Sequence, residues 1–207
     1  MGSHIAWLTY YFDGGFQTCL YFDESIVFSI PSEVEEDIMS EYGDIIRRGV
    51  NCVNVRHGDY CLAPHAFPVC AKKYFQDAMD LLEKNEEYLF VSDDIGWCKK
   101  NFRGNNIHFF EHSSVLKNLY VQTLCKNNIV SNSTFSWWGG YLNPSLNKRV
   151  IAPIPWFGIC PDTKKLNVAN LYPKTWEKLH YKMDWDMWTK ARLLMYKWFI
   201  KKYILDR

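Results

Sequence analysis

The sequence predicts an α/β protein, a doubly wound parallel sheet with helices covering both faces. Two observations predict it. Short β-branched or aromatic runs alternate along the chain with longer segments whose apolar residues recur at helical spacing, and that alternation is the signature of βαβ units. Three of the short runs also end abruptly in polar residues, as strands do where a parallel sheet meets a ligand at its carboxyl edge.

The elements follow in order. Residues 7–22 are aromatic, with an Asp13-Gly14-Gly15 turn signal. Pro31-Ser32 followed by Glu33, Glu35, Glu36 and Asp37 marks a helix start, and the helix should run to about residue 48. Val50, Val53 and Val55 make a β-branched strand over 50–55 that ends on Arg56-His57-Gly58-Asp59. A loop with Pro64 and Pro68 leads to a helix over 72–83, where Tyr74, Phe75, Ala78, Met79, Leu81 and Leu82 form one face. Residues 88–91 are a strand ending in Ser92-Asp93-Asp94, and a helix should follow over 94–101. Ile107–Phe110 is a further strand. Ser113 and Ser114 open a helix reaching about Lys126. The apolar run 128–131 ends in Asn132-Ser133-Thr134-Phe135-Ser136-Trp137-Trp138-Gly139-Gly140, which opens the next helix, and Arg149–Ala152 is the last strand. The domain reading is therefore an amino-terminal linker segment over 1–48, a ligand-binding α/β domain over 49–182, and an amphipathic carboxyl-terminal helix over 183–207.

Composition excludes several classes. The chain has 207 residues, 48% hydrophobic, with a formal net charge of +1. It lacks the basic footprint of a nucleic-acid binder, so no nucleic-acid partner is expected. The seven Cys are odd in number and include no C-x-x-C pair, which argues against a disulfide framework. Cys52 and Cys125 sit among apolar neighbours and are read as buried thiols. Cys61 and Cys70 flank a loop with His65, a minor alternative for a metal site; the six His otherwise show no ligand spacing, and no metal is expected. Met1-Gly2-Ser3-His4 has neither a basic start nor a following apolar stretch, so no signal peptide is expected and the cytoplasm is the expected location. The tail mixes Lys190, Arg192, Lys197, Lys201 and Lys202 with Trp188, Leu193, Leu194, Trp198, Phe199, Ile200, Tyr203 and Ile204. It reads as a helix closing the domain, or as one lying peripherally on a membrane surface.

The polar strand ends suggest a phosphate site. A strand running into Ser133, Thr134 and Ser136 at a helix start offers hydroxyl donors beside unpaired first-turn N–H groups. Arg56 presents a planar fork of donors suited to phosphate. Asp59 could serve the site or cap its own turn. Asp93 and Asp94 could form a helix cap or hold Mg²⁺. Trp137 and Trp138 read as packing residues.

These segments together resemble glycosyltransferase family 11, the α-1,2-fucosyltransferases. Asn54-Val55-Arg56-His57-Gly58-Asp59-Tyr60 is similar to the family's H-x-R-R-G-D-Y, and Ser92-Asp93-Asp94 with Trp97 to its Ser-Asp-Asp segment. Residues 132–139 match N-S-T-F-S-W-W-G, Ile151–Phe157 match a Pro- and Trp-containing segment, Tyr11–Gln17 resemble a G-Y-F-Q segment, and Tyr172–Trp176 resemble the terminal P-x-x-W. The family's Gly-rich G-G-L-G-N-Q opening is not among these matches. The resemblance implies a Rossmann-like, GT-B-type carboxyl-terminal nucleotide-sugar domain. It implies inverting transfer of fucose from GDP-fucose to the 2-hydroxyl of a galactose-containing glycan, without a metal or other cofactor. Arg56 and Asp59 would be catalytic. Asn54, Arg56, His57, Asp93, Asp94, Asn118, Ser133, Thr134 and Ser136 would hold the donor nucleotide. Two departures bear on the donor: Asn54 stands where the family has His, and Asn118 where it has an acid. A carboxylate can accept from both guanine N1–H and N2–H, whereas Asn offers one acceptor oxygen.

Overall fold

The computed structural model describes residues 30–205; the aromatic segment 7–22 lies outside them. Six strands, β1 (Asn51–Val55), β2 (Tyr88–Ser92), β3 (Ile107–Phe109), β4 (Asn128–Ile129), β5 (Val150–Ile154) and β6 (Glu177–His180), form one sheet in the order β3-β2-β1-β4-β5-β6. Every pairing is parallel, and Val53 of β1 lies level with both Phe90 of β2 and Ile129 of β4. The helices are α1 (Ser32–Arg47), α2 (Lys72–Asp80), α3 (Ile95–Asn101), α4 (Val115–Thr123), α5 (Thr134–Leu142), α6 (Pro161–Lys164) and α7 (Trp185–Ile200).

Side chains two apart along a strand share a face, and the core follows that period. Val53, Val55, Tyr88, Phe90, Ile129 and Ile151 pack with Tyr74, Phe75 and Ala78 of α2 and Cys98 of α3. On the opposite face, Val50, Cys52, Leu89 and Val91 pack with Ile38 of α1 and Val121 and Cys125 at α4. Val130, Val150 and Ala152 continue that face under Trp137 of α5, joined by Trp156, Leu171 and Trp176. The segment read as a linker thus supplies α1 to the second layer. The chain winds outward from β1 through α2 and α3, returns beside β1 at β4, and winds the other way through α4 and α5. Right-handed crossovers demand this change of face when direction reverses.

Two features were not foreseen. β6 is a polar edge strand, E-K-L-H, whose alternate side chains are exposed; it has no apolar run for a sequence reading to detect. The Pro161 loop contains the one-turn helix α6, with Pro at its start. The tail is helical as expected, but only Ala191 of α7 is buried, so it is not a helix packed deeply across the domain. None of the helices among the described residues is long and apolar enough to cross a membrane.

The paired glycines of α5 have a packing cause. A Cβ on Gly139 would lie 2.3 Å from Oε1 of Gln122 on α4, and one on Gly140 would lie 3.0 Å from Val150. Gln122 is fully buried and its Nε2 donates to the Asn118 carbonyl at 2.7 Å, so it has no room to retreat. Gly139→Ala should therefore destabilise the protein by about 1–3 kcal/mol through overpacking. Urea denaturation should show the loss, and adding Gln122→Ala should recover part of it.

Candidate functional site

The carboxyl ends of β1, β2 and β4 open into a cleft of about 410 Å³. It lies at the point where the winding direction reverses, between β1 and β4, which is where open α/β sheets bind ligands. Asn54, Arg56, Asp93, Asn118, Ser133 and Thr134 line it.

Arg56 follows the last residue of β1. Its Nη2 donates to Asp59 Oδ2 at 2.7 Å and its Nη1 lies 3.3 Å from Asp93 Oδ2. Its Nε is buried without a partner among the described residues, and its guanidinium lies over the Tyr60 ring at 5.4 Å. Asp93 also accepts from the His57 backbone N–H at 2.9 Å. Gly58 makes this clasp feasible, because a Cβ there would lie 2.9 Å from Asp93 Oδ2. The Arg-x-Gly-Asp segment is thus a clamp in which two carboxylates fix one guanidinium.

The opposite wall is the start of α5. Ser133 is its N-cap but makes no side-chain capping bond, so the first-turn N–H groups keep their capacity to bind an anion. Asn132 anchors the turn. It donates to the carbonyls of Pro68 and Trp156 at 2.9 and 3.0 Å, and its Oδ1 accepts from the Cys70 thiol at 3.4 Å. Burial pushes that thiol up to about 12. Tyr60 donates its hydroxyl to the Asn132 carbonyl at 3.1 Å and so ties the Arg56 loop to the α5 turn. Asn54 is buried and accepts from the Ser131 hydroxyl at 3.3 Å.

Asn118 of α4 donates through Nδ2 to the carbonyls of His112 and Ser114, at 2.7 and 2.8 Å. Its Oδ1 has no partner among the described residues, which leaves one fixed acceptor in the cleft. His112, Ser92 and Phe135 also line the cleft and were not singled out from sequence. His112 sits in an irregular segment before α4, stacked on Phe110, and only its proximity to the Ser-rich helix start could have suggested it.

Three expected ligand residues are placed elsewhere. Ser136 is fully buried, and its hydroxyl accepts from the Ser131 backbone N–H at 2.9 Å; it braces the turn from inside. His57 stacks on Trp97 with ring centroids 4.6 Å apart and holds Asp94 Oδ2 at 2.8 Å through Nδ1. Asp94 caps α3 by accepting from the Trp97 N–H at 2.9 Å. His57 and Asp94 therefore form a structural pair outside the cleft lining, because successive residues leaving a strand point to opposite sides. Asp59 is exposed and serves as the partner of Arg56. Among the described residues, no cluster of three His, Cys, Asp or Glu could hold a metal ion.

The family model described as Glycosyl transferase family 11 matches residues 3–179. The chain is 32% identical to the O-antigen biosynthesis glycosyltransferase WbnK of Escherichia coli, over 60% of this chain and 47% of that protein. It is 30% identical to an alpha-1,2-colitosyltransferase of Escherichia coli, over 67% of this chain and 51% of that protein. It is also 30% identical to galactoside alpha-(1,2)-fucosyltransferase 1 of Oryctolagus cuniculus, over 44% of this chain and 27% of that protein. The matches thus span about half the length of the two bacterial relatives. No solved structure matches.

The Asp94 carboxyl is held below the usual carboxylate range, first by the Trp97 N–H and then by His57. A depressed carboxylate stabilises the fold fully above its ordinary value, near pH 4, and that contribution fades as pH falls through the lowered one. Asp94→Asn keeps an acceptor at the cap and removes the charge. Its urea midpoint should lie below wild type at about pH 6 and approach it at about pH 2.5. A gap that stays constant across that range would separate the capping pair from acid sensitivity.

Proposed function

This chain belongs to glycosyltransferase family 11, and from that premise we propose that its cleft binds the diphosphate of a GDP-sugar for inverting transfer of fucose to the 2-hydroxyl of a galactoside. The carrying observation is Arg56 at the end of β1, across the cleft from the uncapped start of α5. In the reaction, the acceptor oxygen attacks the anomeric carbon from the face opposite the diphosphate. The carbon–oxygen bond to phosphate breaks and GDP leaves with the electron pair. The proton of the attacking hydroxyl passes to a general base, and no residue of the described cleft is assigned that role.

Arg56 neutralises the charge that develops on the departing diphosphate, the electrostatic stabilisation that acyl- and phosphoryl-transfer sites share. Ser133 and Thr134 add hydroxyl donors beside the α5 amides. Asn118 Oδ1 accepts from one of the two guanine N–H edges. Asp59 holds Arg56 until donor binds and then yields to phosphate. The arrangement relies on a guanidinium and backbone amides where other transferases use a divalent cation.

A second reading keeps the chemistry and changes the sugar. One relative carries the name of a colitosyltransferase, and Asn54 and Asn118 depart from the family's donor-site pattern. A third is a nucleotide-sugar-binding chain without turnover. Measuring GDP release from a panel of GDP-sugars, with and without a β-galactoside, separates the three. Release from GDP-fucose with transfer to the 2-hydroxyl, seen by mass spectrometry, supports the first.

Calorimetric titration tests the clamp. Arg56→Ala should lose on the order of 2–5 kcal/mol of GDP affinity while remaining folded. Wild-type titrations with chelator and with added Mg²⁺ or Mn²⁺ should superimpose; a tenfold loss in chelator would contradict the metal-independent reading.

Asp59→Asn should act in the opposite direction. Removing an exposed ion-pair partner frees Arg56 and should tighten GDP binding by about two- to fivefold, the scale of a surface ion pair. Weaker binding would instead assign Asp59 a direct role with the donor.

A further inference from the structure

The helix α7 and the turn that extends it, Lys201–Leu205, present a surface that the cleft does not use. At about 100° per residue, Met187, Ala191, Leu194, Met195 and Trp198 group on the side toward the domain, and these are the residues the fold covers at least partly. The other side is apolar and open. Trp185 is 74% exposed, and Tyr196, Phe199 and Tyr203 share its side at 50%, 49% and 44%. Leu193, Ile200 and Ile204 flank the rings on one side and are also exposed.

Charge accompanies this stripe. Residues 185–205 hold five of the chain's 24 Lys and Arg and one of its 23 Asp and Glu, so the rest of the chain is net acidic. Arg192 lies 4.7 Å over the Trp188 ring and donates to the Tyr196 hydroxyl at 3.1 Å. Lys202 lies 4.6 Å over the Trp198 ring. Lys197 and Lys201 have no ion-pair partner among the described residues. Two further contacts hold the helix on the domain: Lys190 donates to the Cys61 carbonyl at 2.5 Å and Lys202 to Asp162 at 3.2 Å.

We propose that α7 and its extension lie flat on an anionic lipid bilayer. The exposed aromatic and aliphatic stripe would sit at the boundary between headgroups and acyl chains, with Lys197 and Lys201 on lipid phosphates. Trp and Tyr prefer that boundary because one end of the ring system is apolar and the other polar, and Lys and Arg extend their stems along apolar surface while keeping the charge at the interface. A protein partner is the poorer fit. Protein interfaces are depleted in Lys, whereas Lys197 and Lys201 border this stripe without an ion-pair partner among the described residues. A helix with an apolar face and a cationic flank is the form that binds in the interface plane.

Flotation with vesicles tests this. The folded chain should float with an equimolar mixture of phosphatidylcholine and phosphatidylglycerol, and far less with phosphatidylcholine alone. Lys197→Glu with Lys201→Glu should reduce the bound fraction at least about tenfold. Phe199→Ser with Ile200→Ser should do the same while leaving charge intact. Both double variants should keep the wild-type circular dichroism and GDP affinity, since neither position touches the cleft. Wild type that stays out of the floated fraction overturns the proposal. So does flotation that survives both pairs of substitutions. A dimer in light scattering that the serine pair dissociates, without any vesicle binding, would assign the stripe to a second copy of the chain instead.

Discussion

Parallel pairing of β1 with both β2 and β4 is the constraint on which the rest depends. It brings three carboxyl ends to one edge of the sheet, so that residues far apart in sequence, Arg56, Asp93 and Ser133, line one cleft. No local propensity could do this. The pairing survives because both faces of β1 are buried, with all five of its residues inside the protein. Burying polar Asn51 and Asn54 in such a strand carries a cost unless each is hydrogen-bonded, and each is.

That requirement shapes the amino-terminal edge of the sheet. Asn51 donates to Glu86 at 2.8 Å and accepts from Asn127 at 2.8 Å, and Asn127 accepts in turn from the Arg149 backbone N–H at 2.8 Å. Nearby, Asn143 donates to Asn128 at 2.8 Å and to the Cys125 carbonyl at 2.8 Å. Amide side chains therefore stitch the starts of β1, β2, β4 and β5 to one another. The rigid edge so formed lies opposite the cleft, and it leaves the carboxyl edge free to carry chemistry.

The sequence revealed the alternation of elements because each buried strand is a compact apolar run and each covering helix repeats at 3.6 residues. β6 escaped because an edge strand with two exposed positions need not be apolar. At the site, Arg56, Asp93, Asn118, Asn54, Ser133 and Thr134 could be read from motifs, but His57, Asp94 and Ser136 could not be told from them. Each of the three is adjacent to, or one turn from, a cleft residue, and side-chain direction decided its place. His57 and Asp94 step off their strands toward α3, and Ser136 turns inward to the Ser131 N–H. Motif membership gives the neighbourhood of a residue, while backbone alternation gives its direction.

The double clasp on Arg56 has a kinetic meaning. One guanidinium between two carboxylates leaves the clamp with a net negative charge, so it offers an approaching anion no long-range attraction. Diffusional capture of an anion gains from an unshielded positive potential that reaches beyond a Debye length of about 8 Å. Here that potential is quenched at source. On the proposed reading, an anionic donor would approach against weak repulsion and be held only after its phosphate has exchanged with a carboxylate. Its encounter rate should then rise with ionic strength, which screens that repulsion, while its residence time would depend on how completely Asp59 is displaced.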